Sequence, residues 1–566
     1  MNALDTFLDK AESKVDAFFS KKWRFAVILP LLLLSLYILY FIFCFKLGDT
    51  YTAKELGFAT EAKGKAAGIV LIVYVILLAF ALAYMIVRKR INGYRLALFF
   101  LWLFAGILVY VLGIRNFNNG GYKHDFGTFG LGGHWQIIYE IFNTNKLPEV
   151  NLDNQFYQPK FFHATIAAFM KLNYFLFPYG ENANTTISVI ANGKNAEALS
   201  LFTYREYASF ESGRIYMAFV GILMGYAYIR ILKELKLTGA KMGIASFLLL
   251  SVPMNVYVAI SGNNDCLAYT LMLYSLLFAL RYRSYGKTSS LLFVAICLGL
   301  GMETKLNAGI MALPIAFIFL LELIKKAKAL KSENGKKDFI RFWIQIAVFA
   351  VIVFPLGLGG HIYNAVKYHE PIGYVLNLER NGILKSQHID NDEFGIFKRL
   401  VLFPSGDLFT YIFNLAAGDM KNYPNISTYD YNIWTSFIKY SLFEEHKFIN
   451  ELATPGLGWL FYLGYCLYIT LGFLFIVAVI YYAAKLIRGK GKEFFHTSLL
   501  GVIFLTGWLS FGYFCWKFPV SCTMNARYAM ILYLPIGIGV ACFGVDGVKD
   551  IIRIIHKAKE QKRAAE

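Results

Sequence analysis

The sequence has few charged residues and, among them, few acidic ones. Only 16% of its 566 residues are Asp, Glu, Lys or Arg, against about 25% in an average soluble domain. A globular protein needs polar side chains to cover its surface, so this shortage argues against a soluble enzyme. Hydrophobic residues make up 57% of the chain. That proportion excludes a disordered protein, because disordered chains contain too few apolar residues to form a core.

The sequence also lacks the motifs of a metal-binding or secreted protein. Its seven cysteines show no metal-ligand spacing and are too few for a disulfide-based fold. Cys515 and Cys522 flank a short turn and could pair, but two free thiols explain them equally well. The first apolar run, 25–46, is too long for a cleaved signal peptide, and no small-residue cleavage site follows it.

Instead, the chain contains a series of apolar runs of the length that a helix needs to cross a bilayer, about 20 residues. Lipid offers the backbone no hydrogen-bond partners, so such runs form helices. The pattern predicts an all-α polytopic membrane protein with about twelve transmembrane helices. The predicted spans are 25–46, 67–87, 96–114, 214–232, 243–260, 265–280, 289–303, 307–324, 342–360, 456–484, 495–516 and 527–545.

Lysine and arginine are concentrated in alternate loops, which predicts how the chain is oriented. With both termini in the cytoplasm, the segments on that side hold 33 of the 56 Lys and Arg residues, as the positive-inside rule expects. The rest of the chain is close to neutral. The net charge of +19 therefore indicates membrane orientation and leaves nucleic-acid binding without support. The cytoplasmic segments are 1–24, 88–95, 230–241, 281–287, 325–341, 485–493 and 546–566.

Two of the segments predicted on the outer side are long, and long loops on a rigid scaffold commonly carry function. Within the first of them, 131–146 and 161–178 are predicted to be juxtamembrane helices, not crossings. The predicted parts of the chain are a cytoplasmic amphipathic N-terminal segment (1–24), an additional transmembrane hairpin (25–95), a transmembrane core (96–360) with the first outer loop (115–213), the second outer loop (361–455), the C-terminal transmembrane helices (456–545) and a basic cytoplasmic tail (546–566).

Several short motifs follow one another along the predicted outer face. They are Asp125 early in the first outer loop, Leu147-Pro148, the stretch 155–162 (QFYQPKFF), Arg214 at the start of a crossing, 301–305 (GMETK), and 524–528 (MNARY) followed by Pro535. This order resembles the GT-C superfamily of integral-membrane glycosyltransferases, in particular its protein O-mannosyltransferase and aminoarabinose-transferase-like branches. The resemblance implies a GT-C-like fold over residues 96–545.

The resemblance also implies an enzyme that transfers a sugar from a polyprenyl-phosphate donor to an acceptor on the outer face, with inversion. A carboxylate must accept the proton of the attacking hydroxyl group, and fixed cations must hold the carrier phosphate as its negative charge grows. By its place in the family order, Asp125 is the expected general base. The expected phosphate-binding residues are Arg527, Lys305, Lys160 and Arg214.

Other residues near these motifs are possible sugar or acceptor contacts: His124, Asn264, Asp265 and Glu140. Most candidates also have a structural interpretation. Asp125 could stabilise a Gly/Asn-rich turn, Arg527 could extend towards lipid headgroups, and Glu303 could be the ion-pair partner of Lys305. No metal-ligand cluster is present, so no cofactor is predicted, although some relatives use a divalent metal. Where the family often has Asp-Glu, this chain has Asp125-Phe126, which leaves the sugar and acceptor open.

Different functions remain open at this point. A transporter or flippase of a lipid-linked or anionic substrate would explain the helices, but the sequence shows no convincing repeat of the kind common in transporters. A polysaccharide polymerase or ligase would also have a large outer loop, and a non-catalytic membrane scaffold is the simplest alternative. The expected partners are the polyprenyl-phosphate donor, membrane lipids and an acceptor that is a glycan, a lipid or a protein. The expected location is a bacterial inner (plasma) membrane.

Overall fold

The computed structural model of the protein consists largely of α-helices. It describes residues 53–114, 134–148, 158–176, 186–190, 199–369, 371–373, 388–400, 431–443, 457–487 and 494–565. Within these ranges the helices are α1 (Ala53–Val87), α2 (Gly93–Ile114), α3 (His134–Thr144), α4 (Phe161–Leu176), α5 (Tyr204–Glu234), α6 (Gly239–Leu250), α7 (Pro253–Ile260), α8 (Asp265–Tyr285), α9 (Thr288–Thr304), α10 (Ala312–Lys328), α11 (Glu333–Tyr368), α12 (Asn391–Leu400), α13 (Ile433–Phe443), α14 (Leu457–Ile487), α15 (Phe494–Lys517) and α16 (Tyr533–Ala565).

These helices confirm the predicted class of an all-helical integral membrane protein. Every predicted span except 25–46 falls on helical segments, and 25–46 lies outside the described residues, as does the predicted amphipathic segment 1–24. Among the described helices, seven are long and apolar enough to cross a membrane, or eight if α6 and α7 form one bent span. The other predicted spans correspond to α8 and to shorter apolar helices at Leu71–Val87 and Thr288–Thr304.

The predicted crossing at 243–260 is broken in its middle. Helix α6 ends at Leu250, α7 begins at Pro253, and the two axes differ by 51°. Proline has no N–H group to donate and is compatible with the first turn of a helix but not with its interior. The side chain of Asn255 donates to the carbonyl of Leu249 (2.7 Å), which satisfies one of the exposed acceptors at the end of α6.

The first outer loop contains the two predicted juxtamembrane helices, α3 and α4, and one element that was not predicted. Helix α3 buries Ile137, Ile138 and Phe142. Strands β1 (Thr186–Ile190) and β2 (Leu199–Thr203) form an antiparallel pair immediately before α5. This small hairpin is a departure from a purely helical chain.

Helices α8 and α9 form an antiparallel hairpin in the interior of the bundle. The turn between them contains Gly286 at φ 64°, a left-handed conformation that glycine adopts without steric cost. At Gly299 of α9, a Cβ atom would lie 2.7 Å from the Cβ of Leu356 on α11, so the two helices pack closely there. Because the hairpin is antiparallel, the start of α8 and the end of α9 lie side by side.

Candidate functional site

One carboxylate and two cations from distant parts of the chain meet at this end of the α8–α9 hairpin. The Nζ of Lys305 donates to Oδ1 of Asp265 at 2.5 Å, and the Nε of Arg527 lies 3.7 Å from Oδ2 of the same carboxylate. Asp265 is 4% exposed, whereas the side chains of Lys305 and Arg527 are 20% and 18% exposed. We call Asp265, Lys305, Arg527 and the adjacent Tyr528 the Asp265 cluster.

Local backbone structure explains why these three charges meet where helices begin and end. Asp265 is the first residue of α8, where a negative charge is favourable to the helix dipole, and Asn263 Oδ1 accepts from its backbone N–H (3.1 Å). Lys305 follows the end of α9 in an extended conformation. Arg527 lies in a 3₁₀ segment, Ala526–Leu532, that leads into α16, and its backbone N–H donates to the capping side chain of Asn525 (3.0 Å).

Tyr528 completes the cluster. Its ring centroid lies 4.6 Å from the Nζ of Lys305 and 5.1 Å from the guanidinium carbon of Arg527, within the range of favourable cation–π interactions. Its hydroxyl group accepts from Nη2 of Arg527 (3.2 Å). The ring therefore contacts both cations that face the Asp265 carboxylate.

The formal charge of the Asp265 cluster is +1, because two cations face one carboxylate. A crevice of only about 10 Å³ lies beside it, lined by Asp265, Arg527 and Tyr528 among other residues. Lysine and arginine are the groups that proteins use to hold phosphate and other oxyanions. The arrangement can therefore attract an anion while Asp265 keeps both cations oriented.

A chain of amide contacts links the cluster to Lys160 of the first outer loop. Asn264 Nδ2 donates to Oε1 of Gln158 (2.6 Å) and to the backbone carbonyl of Thr304 (3.1 Å). Lys160 donates in turn to the backbone carbonyl of Gln158 (2.7 Å). The structure thus places Lys160 next to the cluster through intervening groups, and it gives Asn264 a role in joining α8, α9 and the outer loop.

Arg214, expected to bind phosphate, is 4% exposed, and its Nε donates to the backbone carbonyl of Ile260 at 3.5 Å. Ile260 is the last residue of α7. A cation at a helix C-terminus is favourable to the helix dipole. Arg214 therefore braces the turn that leads to Asp265.

Glu303 is not the ion-pair partner of Lys305. Its carboxylate accepts from the backbone N–H of Gly360 on α11 (3.2 Å), while Lys305 pairs with Asp265. Glu140 is half-buried on α3 and makes no contact with the cluster among the described residues. Asp125 and His124 lie outside the described residues, so the general-base assignment remains a prediction.

A buried histidine pair, which the sequence did not predict, lies between the two juxtamembrane helices. His134 Nδ1 and His163 Nε2 are 2.9 Å apart, and both rings are buried against Phe162. Burial, then the neighbouring His134 and Lys160, lowers the pKa of His163 well below its ordinary value. The pair is therefore a buried hydrogen-bonded contact, with His163 uncharged, that fixes α3 against α4, and no motif in the sequence indicates it.

Two further observations concern metals and thiols. Within the described ranges, no three His, Cys, Asp or Glu side chains are grouped closely enough to hold a metal ion. Cys515 and Cys522 are not joined by a disulfide bond, and the Sγ of Cys515 donates to the backbone carbonyl of Thr523 (3.5 Å). Of the two alternatives for these cysteines, the structure therefore has the one without a disulfide.

Comparison with known proteins bears on the resemblance seen in the motifs. Residues 199–355 match the family model of dolichyl-phosphate-mannose-protein mannosyltransferases. This match confirms the resemblance to the GT-C membrane glycosyltransferases and includes Arg214, Asp265 and Lys305. No curated protein sequence matches the chain.

Two solved structures of ArnT from Cupriavidus metallidurans are similar to this chain over 78% of its length and 76% of theirs. The apo structure is 14% identical with a TM-score of 0.28. The structure bound to undecaprenyl phosphate is 15% identical with a TM-score of 0.33.

Proposed function

We propose that the protein is a GT-C-type glycosyltransferase that uses a polyprenyl-phosphate-linked sugar as donor. The observation that carries this proposal is the Asp265 cluster, in which Lys305 and Arg527 lie within 4 Å of one carboxylate and give the site a formal charge of +1. Both cations belong to motifs of the resemblance, and the family match over 199–355 contains Asp265 and Lys305. A substrate phosphate is the anion that this positively charged cluster would hold.

In the proposed reaction, the acceptor hydroxyl group loses its proton to a general base as its oxygen attacks the anomeric carbon of the sugar. The bond from that carbon to the phosphate oxygen breaks, and its electron pair remains on the polyprenyl phosphate. Lys305 and Arg527 stabilise the charge that develops there. Attack opposite to the leaving phosphate inverts the anomeric centre. Asp265 keeps the two cations oriented before and after the phosphate is bound.

We assign the general base to Asp125, on its position early in the first outer loop. The distribution of lysine and arginine supports an active site on the outer face of a bacterial inner membrane, with both chain termini in the cytoplasm. The sugar is an aminoarabinose-like pentose or a hexose such as mannose, according to the two branches that the motifs resemble. The acceptor is a glycan, a lipid or a protein on that face.

The direct experiment is to incubate the purified protein with a panel of polyprenyl-phosphate sugars and measure release of the carrier phosphate. We expect release with one donor and acceptor pair. The Asp125→Asn variant should lose activity by roughly a thousandfold while donor binding persists, because only proton removal is affected.

Asp153→Asn is the matched control, since it makes the same chemical change in the same outer loop. Full activity of Asp125→Asn, or loss of activity only in Asp153→Asn, would overturn the base assignment. Movement of the lipid-linked sugar across proteoliposomes without carrier release would favour a flippase instead.

A further inference from the structure

A second, much larger cavity lies at the opposite end of the bundle from the Asp265 cluster. Its volume is about 590 Å³, and it is formed where α14, α15 and α16 meet the turn between α5 and α6. This size is within the range of sites that enclose small organic molecules. Its walls are apolar and include Phe475, Val479, Phe504, Leu505 and Ile538.

The rim of this cavity is polar and carries positive charge. Lys236, Lys241 and His496 line it together with the hydroxyl groups of Thr497 and Ser498 near the start of α15. Lys241 is paired with Asp546 on α16, at 2.7 Å. Lys236 is exposed and follows the end of α5 in a left-handed conformation, with φ 58°. The rim therefore has more positive than negative groups, even with Asp546 included.

The depth and the opening of the cavity match one leaflet of a membrane. From His496 to Leu505 the wall of α15 rises by about 14 Å, close to half of the hydrocarbon thickness of a bilayer, which is about 30 Å. Val479 and Leu505 in the wall are 48% and 58% exposed, so the cavity opens sideways to where lipid would lie. The lysines of the rim lie in segment 230–241, and its other polar residues, 496–498, directly follow segment 485–493. The charge distribution predicts that both segments are cytoplasmic.

We propose that this cavity binds one anionic glycerophospholipid of the inner leaflet. An acyl chain fills the apolar part, and the phosphate group lies at the rim near Lys236 and the start of α15. Apolar walls exclude a polar ligand from the interior, and the positive rim favours a headgroup of net negative charge over a zwitterionic one. The lipid would hold α14 and α15 against α16 and would stabilise the protein at this end. The proposal is independent of the enzymatic reaction.

Gly501 allows the cavity to be filled without disturbing the fold. It lies on α15 in the cavity wall, and a Cβ atom added there would meet no other atom within 4 Å. Gly472 on α14 is equally unobstructed but does not line the cavity. Gly501→Leu and Gly472→Leu therefore form a matched pair, one that occupies the cavity and one that does not.

Native mass spectrometry in a neutral detergent tests the proposal with phosphatidylglycerol, phosphatidylcholine of the same acyl chains, and undecaprenyl phosphate as probes. We expect one phosphatidylglycerol to be retained under conditions that remove phosphatidylcholine. Gly501→Leu should reduce its retention roughly tenfold, as the loss of one chain-binding site requires, and Gly472→Leu should behave as the unmodified protein.

The rim is tested separately with Lys236→Glu, which should weaken binding of phosphatidylglycerol by at least about fivefold, the effect of one lysine near an anionic lipid. Lys287→Glu, an exposed lysine at the same end of the bundle, is its control and should have no effect. Undiminished binding by Gly501→Leu, or equal retention of both glycerophospholipids, would overturn the proposal. Displacement of phosphatidylglycerol by undecaprenyl phosphate would overturn it in favour of the carrier lipid.

Discussion

The two ends of the helix bundle both contain ion pairs that are shielded from solvent, but they differ in the backbone that carries them. At one end, Lys305 and Arg527 lie on chain that has left the α-helix, and they share the carboxylate of Asp265. At the end predicted to face the cytoplasm, Glu234 pairs with Arg281 at 3.0 Å, and Glu322 with Arg283 at 2.9 Å. These four residues all lie within α-helices.

This difference separates a structural ion pair from a site. The ion pairs between regular helices join α8 to α5 and to α10. Irregular backbone at membrane depth is tolerated only where it is buried in protein or lines a cavity. The Asp265 cluster meets that condition, because Asp265 is 4% exposed and the side chains of Lys305 and Arg527 are largely buried. An ion pair between regular helices therefore says little about function, whereas one built on irregular backbone at helix ends marks a candidate site.

The largest effect expected from this comparison is on catalysis. Lys305→Ala should lower the rate of sugar transfer by roughly 100-fold or more, because one fixed charge on the leaving phosphate is lost. Arg283→Ala should keep the rate per folded molecule within a few-fold, since that arginine only joins helices. The measurement is carrier-phosphate release at saturating donor. Equal losses of sugar-transfer rate in Lys305→Ala and Arg283→Ala would contradict the functional difference between the two ends of the bundle.

A large effect on stability is expected from Asp265→Ala. Removal of the carboxylate leaves Lys305 and Arg527 facing each other in a shielded site, at a cost of about 3 kcal/mol. Added polyprenyl phosphate should restore part of the loss, because its phosphate replaces the missing negative charge. Thermal unfolding with and without the lipid measures the loss of stability and its partial recovery. Asp392→Ala, an exposed residue on α12, should have no effect, and an equally stable Asp265→Ala protein would contradict the assigned role.

A smaller effect on stability is expected at the other end. Glu322→Gln should destabilise the protein by about 1–3 kcal/mol, because the charge of Arg283 loses its partner. The double variant Arg283→Met, Glu322→Leu should recover much of this loss, since apolar groups can replace a shielded ion pair. A double-mutant cycle on thermal stability measures the coupling. Strongly reduced sugar transfer in the folded double variant would show that this end also serves the reaction.

The smallest expected effect comes from the uncharged contact between His134 and His163. The pKa of His163 is lowered by burial and by its neighbours His134 and Lys160, so the unfolded chain takes up a proton near pH 6.5 while the folded protein does not. Stability should therefore fall as the pH drops below about 6.5, by roughly 1 kcal/mol per pH unit. In His163→Phe this slope should be reduced, and in His556→Phe, on the exposed tail, it should not change.

The members of the Asp265 cluster were predictable from the sequence, but their partners were not. The order of the motifs predicted Lys305 and Arg527 as phosphate-binding residues, and Asp265 was a possible contact of the sugar or the acceptor. Glu303 was one alternative partner for Lys305, but residues two positions apart at a helix end do not face each other. Lys305 instead pairs with Asp265, 40 positions away. The contact of Arg214 with Ile260 could not be predicted either. Its acceptor is a backbone carbonyl, which every residue has, so the sequence carries no signal for it.

The sequence by itself determined where the long apolar helices lie and that the chain is an integral membrane protein. Both depend on short-range properties, namely the length of an apolar run against the thickness of a bilayer and the absence of hydrogen-bond partners in lipid. Tertiary structure alone decided which charges share a carboxylate, that α6 and α7 meet at a bend, and that a cavity with a basic rim opens at the far end. Those features depend on how the helices pack against one another: the turn at Gly286 folds α9 back along α8 and so brings Asp265 and Lys305 together.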